Sequence, residues 1–197
     1  MTLKSLVEFY KERLDVGNDR CNVLCDLTFL KWLSRNKHFD AISRLKSILF
    51  VDDVTMKTTK CLNSEFEQWF STTKRGERNF FMKNISLIVC KHPEGYSSKK
   101  CFESKLKKYE RCFVCSNDYI LHQKTKTPVI TVRRKSLFVL KPEDSLKEEY
   151  INWCNTKQER YENSKKGDKR KFQDAAESSL KRGRKRKKST RDFFLNL

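Results

Sequence analysis

Residues 90–122 carry Cys90-Lys-His92, then Cys101, then Cys112-Phe-Val-Cys115, then His122. Four of the eight cysteines and two of the three histidines fall in this stretch. A tetrahedral metal site needs four thiolate or imidazole ligands, and six are on offer here. A fold that gathers four of them is pinned at several points along the chain. The pair Cys112-x-x-Cys115 fits one half of a site, because that spacing in a tight turn places both thiolates on one ion. The other half is either Cys90 with His92 at a strand exit, or Cys101 with His122 in a compact finger. The expected set is Cys90, His92, Cys112 and Cys115, with Cys101 and His122 as alternates. Mixed thiolate and imidazole ligation points to Zn2+, in a closed and structural site.

The cysteines are read as thiols or ligands because the N-terminal residues lack the apolar run and small-residue cleavage site of a secretory signal. A reducing, intracellular setting is the expectation, and disulfides are rare there. No apolar run reaches the roughly 18 residues a membrane span needs.

Charge is the second constraint. The 197 residues hold 44 Lys and Arg against 25 Asp and Glu, a formal charge of +19. Such a chain is drawn to polyanions, nucleic acid first among them. Residues 164–197 hold 13 of the basic residues and four acids. The body is therefore basic as well as the tail. Basic and aromatic residues interleave at Lys105, Lys107, Lys108 and Arg111, and again at Arg133, Arg134 and Lys135. These seven are the expected phosphate contacts.

Few apolar residues interrupt the tail, which is expected to be disordered. Lys169 and Arg170, a ten-residue spacer, then Lys181, Arg182 and Arg184 form a bipartite nuclear-localisation pattern. Arg184, Lys185, Arg186, Lys187 and Lys188 would serve alone. A nuclear import receptor is the partner this implies, and the nucleus the expected location. The apolar Phe193–Leu197 end is a candidate for gripping a protein partner, as are the N-terminal helices.

Apolar periodicity predicts three short helices in the first 60 residues, over 2–15, 22–35 and 40–49. Ser64-Glu-Phe-Glu67 has the form of a capping box. A strand is expected over 80–90, a helix over 98–111, and short strands at 119–122, 129–132 and 136–140. A last helix follows Pro142 and fades near Asn163. The expected fold class is α+β: a helical bundle over 1–60, a mixed zinc-stabilised module over 61–163 and a disordered basic tail over 164–197.

No phosphate loop, dinucleotide fingerprint or nucleophile elbow occurs. Asp52-Asp53 and Glu148-Glu149 are adjacent pairs whose side chains point apart, so no catalytic residue is expected. The reading is a non-enzymatic nuclear zinc-binding protein that binds nucleic acid, DNA ahead of RNA, in transcription regulation or genome maintenance. The competing class is a nuclear protein–protein adaptor, or a small viral accessory protein, whose tail only directs import.

Overall fold

The computed structural model describes residues 2–71, 84–93, 95–109, 111–125, 127–133, 136–139 and 146–163. They divide into two compact units, 1–143 and 144–197.

Helix α1 (Leu3–Leu14) starts at Thr2, whose side chain accepts from the Ser5 N–H, and buries Leu6, Val7, Phe9 and Tyr10. Strand β1 (Arg20–Cys25) follows, then α2 (Leu27–Arg35), α3 (Ala41–Leu49), β2 (Asp53–Thr59), α4 (Lys60–Phe70) and β3 (Ile85–Ile88). The chain continues through α5 (Ser98–Leu106), β4 (Phe113–Cys115), α6 (Tyr119–Lys124), β5 (Val129–Arg133) and β6 (Ser136–Val139). The six strands form one sheet in the order β3-β2-β1-β4-β5-β6. The first five run parallel, and β6 closes the edge antiparallel to β5.

Parallel strands are covered on both faces by their crossover helices and read as continuous apolar runs. Cys21, Val23, Leu24 and Cys25 of β1, and Phe113, Val114 and Cys115 of β4, are all buried. One layer of core joins Leu24 and Val114 to Leu62 of α4, Phe102 and Leu106 of α5, and Leu121 of α6. Successive strand residues face opposite ways, so Val23 and Phe113 serve the other layer. The buried Lys11 side chain donates to the Phe50 carbonyl at 2.7 Å and to Asn18 Oδ1 at 3.0 Å. It thereby ties α1 to the end of α3.

An α/β fold with a five-stranded parallel sheet thus replaces the expected α+β helical bundle and small zinc module. The helix expected over 22–35 is two elements. Asp26 accepts from the Phe29 N–H at 2.8 Å and starts α2 there, leaving Arg20–Cys25 as the central strand. Its leucines suit either period, and burial on both faces erased the alternation that marks a strand. Thr59, accepting from the Leu62 N–H, starts α4 well before the Ser64 capping box. The segment 119–122, expected extended, is α6, started by Asp118. Strands β5 and β6 lie where alternation placed them.

In the second unit, residues 146–163 are helical, and the Tyr150 and Trp153 rings stack with centroids 6.1 Å apart. No helix among the described residues is long and apolar enough to cross a membrane.

Candidate functional site

Strand order fixes where a site can form. From β1 the chain winds outward through β2 and β3, then returns past β1 to β4 and winds the other way. The crevice outside the carboxyl ends of β1 and β4 is the topological switch point, where open parallel sheets bind ligands.

Asp26 follows β1 immediately, and Ser116, Asn117 and Asp118 follow β4. A ladder of hydrogen bonds zips the two exits together. The Asp26 N–H donates to the Cys115 carbonyl at 3.0 Å, and the Asn117 N–H to Thr28 Oγ1 at 2.9 Å. The Ser116 hydroxyl donates to the Asp26 carboxylate and accepts from the Asp118 N–H at 2.9 Å. The Thr28 hydroxyl donates to Asp26 at 2.8 Å. Asn117 Oδ1 accepts from Thr131 Oγ1 and the Val132 N–H, both at 3.0 Å, which anchors the loop to β5.

Asp26 and Asp118 line one cavity of about 260 Å³, with Glu65, Lys99 and Glu103 also in its wall. Their environments drive the two carboxyls apart. Burial raises Asp26 against the hydrogen bonds from Ser116, Phe29 and Thr28, and the neighbouring Asp118 charge adds to the rise. The Lys99 ammonium, 2.8 Å from Asp118, holds that carboxyl below the usual range. A pair of acids split in this way, in a recess at a switch point, is a candidate for chemistry on a bound group.

A second cluster stands at the same edge of the sheet, beyond β2 and β3. Cys61 lies in the first turn of α4, Cys90 and His92 follow β3, and Cys101 is on α5. Their ligand atoms all lie within 4.8 Å of one another. His92 Nε2 is 3.0 Å from Cys61 Sγ and 3.1 Å from Cys101 Sγ, and the Cys101 and Cys90 sulfurs are 3.3 Å apart. A Zn–S bond of about 2.3 Å implies a tetrahedral S···S edge of about 3.8 Å, so an ion enters with a small outward shift. His92 Nδ1 sits 3.2 Å from the Pro93 carbonyl. A carbonyl only accepts, so this contact puts the ring proton on Nδ1 and leaves the Nε2 lone pair for a metal. Burial raises the Cys61 thiol to about 12, helped by hydrogen bonds to Cys90 and Cys101. Burial opposes ionisation of Cys90 too, but the hydrogen bond from the Cys61 backbone and those with the neighbouring Cys101 and Cys61 side chains outweigh it and bring Cys90 to about 7. These four residues could bind a metal ion.

Beside this cluster, α4 and the 90–98 loop enclose an open cleft of about 770 Å³. Tyr96, 43% exposed, lies with its ring centroid 4.6 Å from that of His92. Glu65 and Ser98 line both the cleft and the acidic pocket and hydrogen-bond to each other across the divide.

Of the expected metal ligands, the structure brings together Cys90 and His92, joined by the alternate Cys101. Cys112 and Cys115 do not join them. Cys112 is buried in the core, with its thiol donating to the Tyr109 carbonyl, and Cys115 is fully buried in β4. The spacing that looked like a knuckle is a stretch of central strand. His122 contacts the Ser116 carbonyl at 2.9 Å and supports the acidic loop instead. Sequence reasoning missed Cys61, whose only signal is its position just after a strand that was not foreseen. It also missed Asp26 and Asp118, which are lone acids far apart in the chain.

Of the expected nucleic-acid contacts, Lys105 is in α5, Lys107 and Lys108 are exposed just beyond it, and Arg111 pairs with Asp15 at 2.9 Å. Arg133 ends β5, while Arg134 and Lys135 lie outside the described residues. So do the localisation residues Lys169, Arg170, Lys181, Arg182 and Arg184–Lys188, and the Phe193–Leu197 end.

No family model matches the sequence, and no curated protein does. Among solved structures the chain is similar to the PIN domain endonuclease Utp24, with a TM-score of 0.52 at 18% identity. The match covers 62% of this chain and 96% of that one. The likeness shows a PIN-like fold. It overturns the expectation of a non-enzymatic regulator, because the fold is one an endonuclease uses.

Proposed function

We propose that this chain acts on single-stranded nucleic acid, RNA first, by hydrolysing a phosphodiester in the pocket between Asp26 and Asp118. The observation that carries this reading is the meeting of those two carboxyls at the switch point, in a PIN-like fold. A recess of about 260 Å³ walled by α2, α4, α5 and α6 suits the flexible backbone of a single strand better than a duplex. The surplus of basic residues supplies affinity for phosphate without sequence preference.

The donor set fits a divalent cation of the Mg2+ type, which binds one or two carboxylates and completes its shell with substrate phosphate and water. Asp26 and Asp118 would hold it. Asp26 accepts from three donors and Asp118 from the Ile120 N–H, leaving each a free acceptor direction once Lys99 moves. When bound, such an ion polarises the phosphoryl oxygens and lowers the pKa of an attacking water. The chain's own part is to orient the phosphate. Water adds to phosphorus, the bond to the leaving sugar oxygen breaks, and a proton passes to that oxygen.

The Cys61, Cys90, His92 and Cys101 cluster is best read as a structural Zn2+ site, since three thiolates and one imidazole leave no open position. It would lock α4, the β3 exit and α5 around the pocket. The basic run between Lys169 and Lys188 supports import into the nucleus, which a fluorescent fusion with and without 164–197 would test.

Cleavage of a labelled single-stranded RNA in Mg2+ or Mn2+, with a matched DNA strand as control, tests the main reading. The expected result is cation-dependent cutting that Asp26→Asn abolishes while RNA binding persists. Absence of both binding and cutting in the folded, full-length chain refutes it.

A further inference from the structure

Lys99 stands where a cation is wanted. Its Nζ lies 2.8 Å from Asp118 Oδ2, and its side chain is 54% exposed against 21% for Asp118. The other donors around the pocket are backbone N–H groups and short hydroxyls held by their own loops and helices. Asp118 Oδ1 takes the Ile120 N–H at 2.9 Å. The Asp26 oxygens take the Phe29 N–H and the Thr28 and Ser116 hydroxyls, and Glu65 takes the Ser98 hydroxyl. Lys99 alone is a long, flexible donor on the surface of a helix. Glu103, four residues on along α5 and in the same pocket wall, adds a further negative charge that favours the ammonium.

We infer that Lys99 is the pocket's resident counter-cation and sets its affinity for a divalent ion, which must displace the ammonium from Asp118. The inference rests on the proposed phosphodiester site and assigns the residue that controls its loading. With the ammonium in place, Asp118 is neutralised and the pocket holds a divalent ion weakly. Arrival of a substrate phosphate, which attracts both the ion and the ammonium, favours the exchange. The pocket is then loaded together with substrate rather than before it.

Binding of Mn2+ to the full-length chain, followed through the electron paramagnetic resonance of the free ion, tests this without reference to activity. Manganese favours oxygen donors over thiolates, so the cysteine cluster does not compete strongly. Lys99→Met is expected to tighten binding about fivefold, the scale of a partly exposed ion pair. Lys99→Arg, which keeps the charge, leaves it unchanged. Adding Asp118→Asn to Lys99→Met removes the gain. Equal affinity in Lys99→Met and the wild type, no Mn2+ binding by either, or a gain that survives Asp118→Asn would each overturn the assignment. A chain that shows the Mn2+ pattern but neither binds nor cuts RNA refutes the proposed function and leaves the role of Lys99 standing.

Discussion

Replacing Cys61 and Cys112 by Ser in separate variants sets the folded arrangement against the one the sequence suggests. The structure puts Cys61 Sγ 3.0 Å from His92 Nε2, and buries Cys112 in the core with its thiol on the Tyr109 carbonyl. Wild type should bind one Zn2+ or Co2+ per chain. Cys61→Ser should lose it, and Cys112→Ser and Cys115→Ser should keep it. At free metal 100 times the Kd, binding contributes about 2.7 kcal/mol, or about 10 °C of Tm for a unit of this size. The Cys61 variant loses that increment, and chelator then changes its Tm little. The two core variants lose about 1–3 kcal/mol from burying a hydroxyl where a thiol sat, and chelator still lowers their Tm. Proton release adds an independent number. Cys61 at about 12 and the raised Cys101 carry protons at neutral pH, and Cys90, lowered to about 7, carries one only in part. Loading near neutral pH should therefore displace about two to three protons, and affinity should climb steeply as pH rises there. Metal content measured by emission spectrometry, with Tm scans in buffer and in chelator, decides the matter. Retention of stoichiometric metal by Cys61→Ser, or its loss in Cys112→Ser, refutes the assignment.

Asp26 gives a pH signature of unusual sign. Its folded pKa is raised above the unfolded value of about 3.9, so the folded state holds the proton more tightly. The stability this provides is present at low pH and is lost as pH rises from about 4 through the folded pKa. Asp26→Asn should abolish that slope in urea midpoints taken from pH 4 to 7, and identical slopes would contradict the burial argument. Asn117→Ala removes the acceptor for both Thr131 Oγ1 and the Val132 N–H, and should cost about 1–3 kcal/mol in denaturant unfolding. Tyr96→Ala should weaken binding of a single-stranded RNA about tenfold by anisotropy if the exposed ring stacks a base. Tyr96→Phe should bind as wild type, and an unchanged Tyr96→Ala would remove the ring from the path of the RNA.

The sequence announced some members of the cysteine–histidine cluster and concealed the others for a physical reason. Cys90-x-His92 is legible because both residues leave one strand together, and Cys101 is near enough in the chain to be counted. Cys61 is legible only to a reader who already knows that β2 ends at Thr59. That strand, Asp53–Thr59, mixes charged and hydroxyl residues with Val54 and Met56 and shows little apolar run. Cys112 and Cys115 misled because two thiols at that spacing suit a metal knuckle as well as a buried strand, and only the pairing of β4 between β1 and β5 decides. The acidic pocket was less legible still. Asp26 doubles as the start signal of α2 and Asp118 as that of α6, so each carries a sufficient local explanation and neither invites a second. Their meeting is a property of strand order, which a single sequence does not state.

That strand order also accounts for the second cluster lying beside the first. In a parallel sheet every crossover helix begins at the same edge, so residues that follow β1, β2, β3 and β4 are neighbours however far apart they are in the chain. Asp26, Cys61, Cys90 and Asp118 are such residues. A metal held by Cys61, Cys90, His92 and Cys101 would fix α4 against α5, and those two helices carry Glu65, Ser98, Lys99 and Glu103 in the wall of the acidic pocket. A metal held by the cysteine cluster would therefore bear on the acidic pocket without touching its contents, through the position of α5.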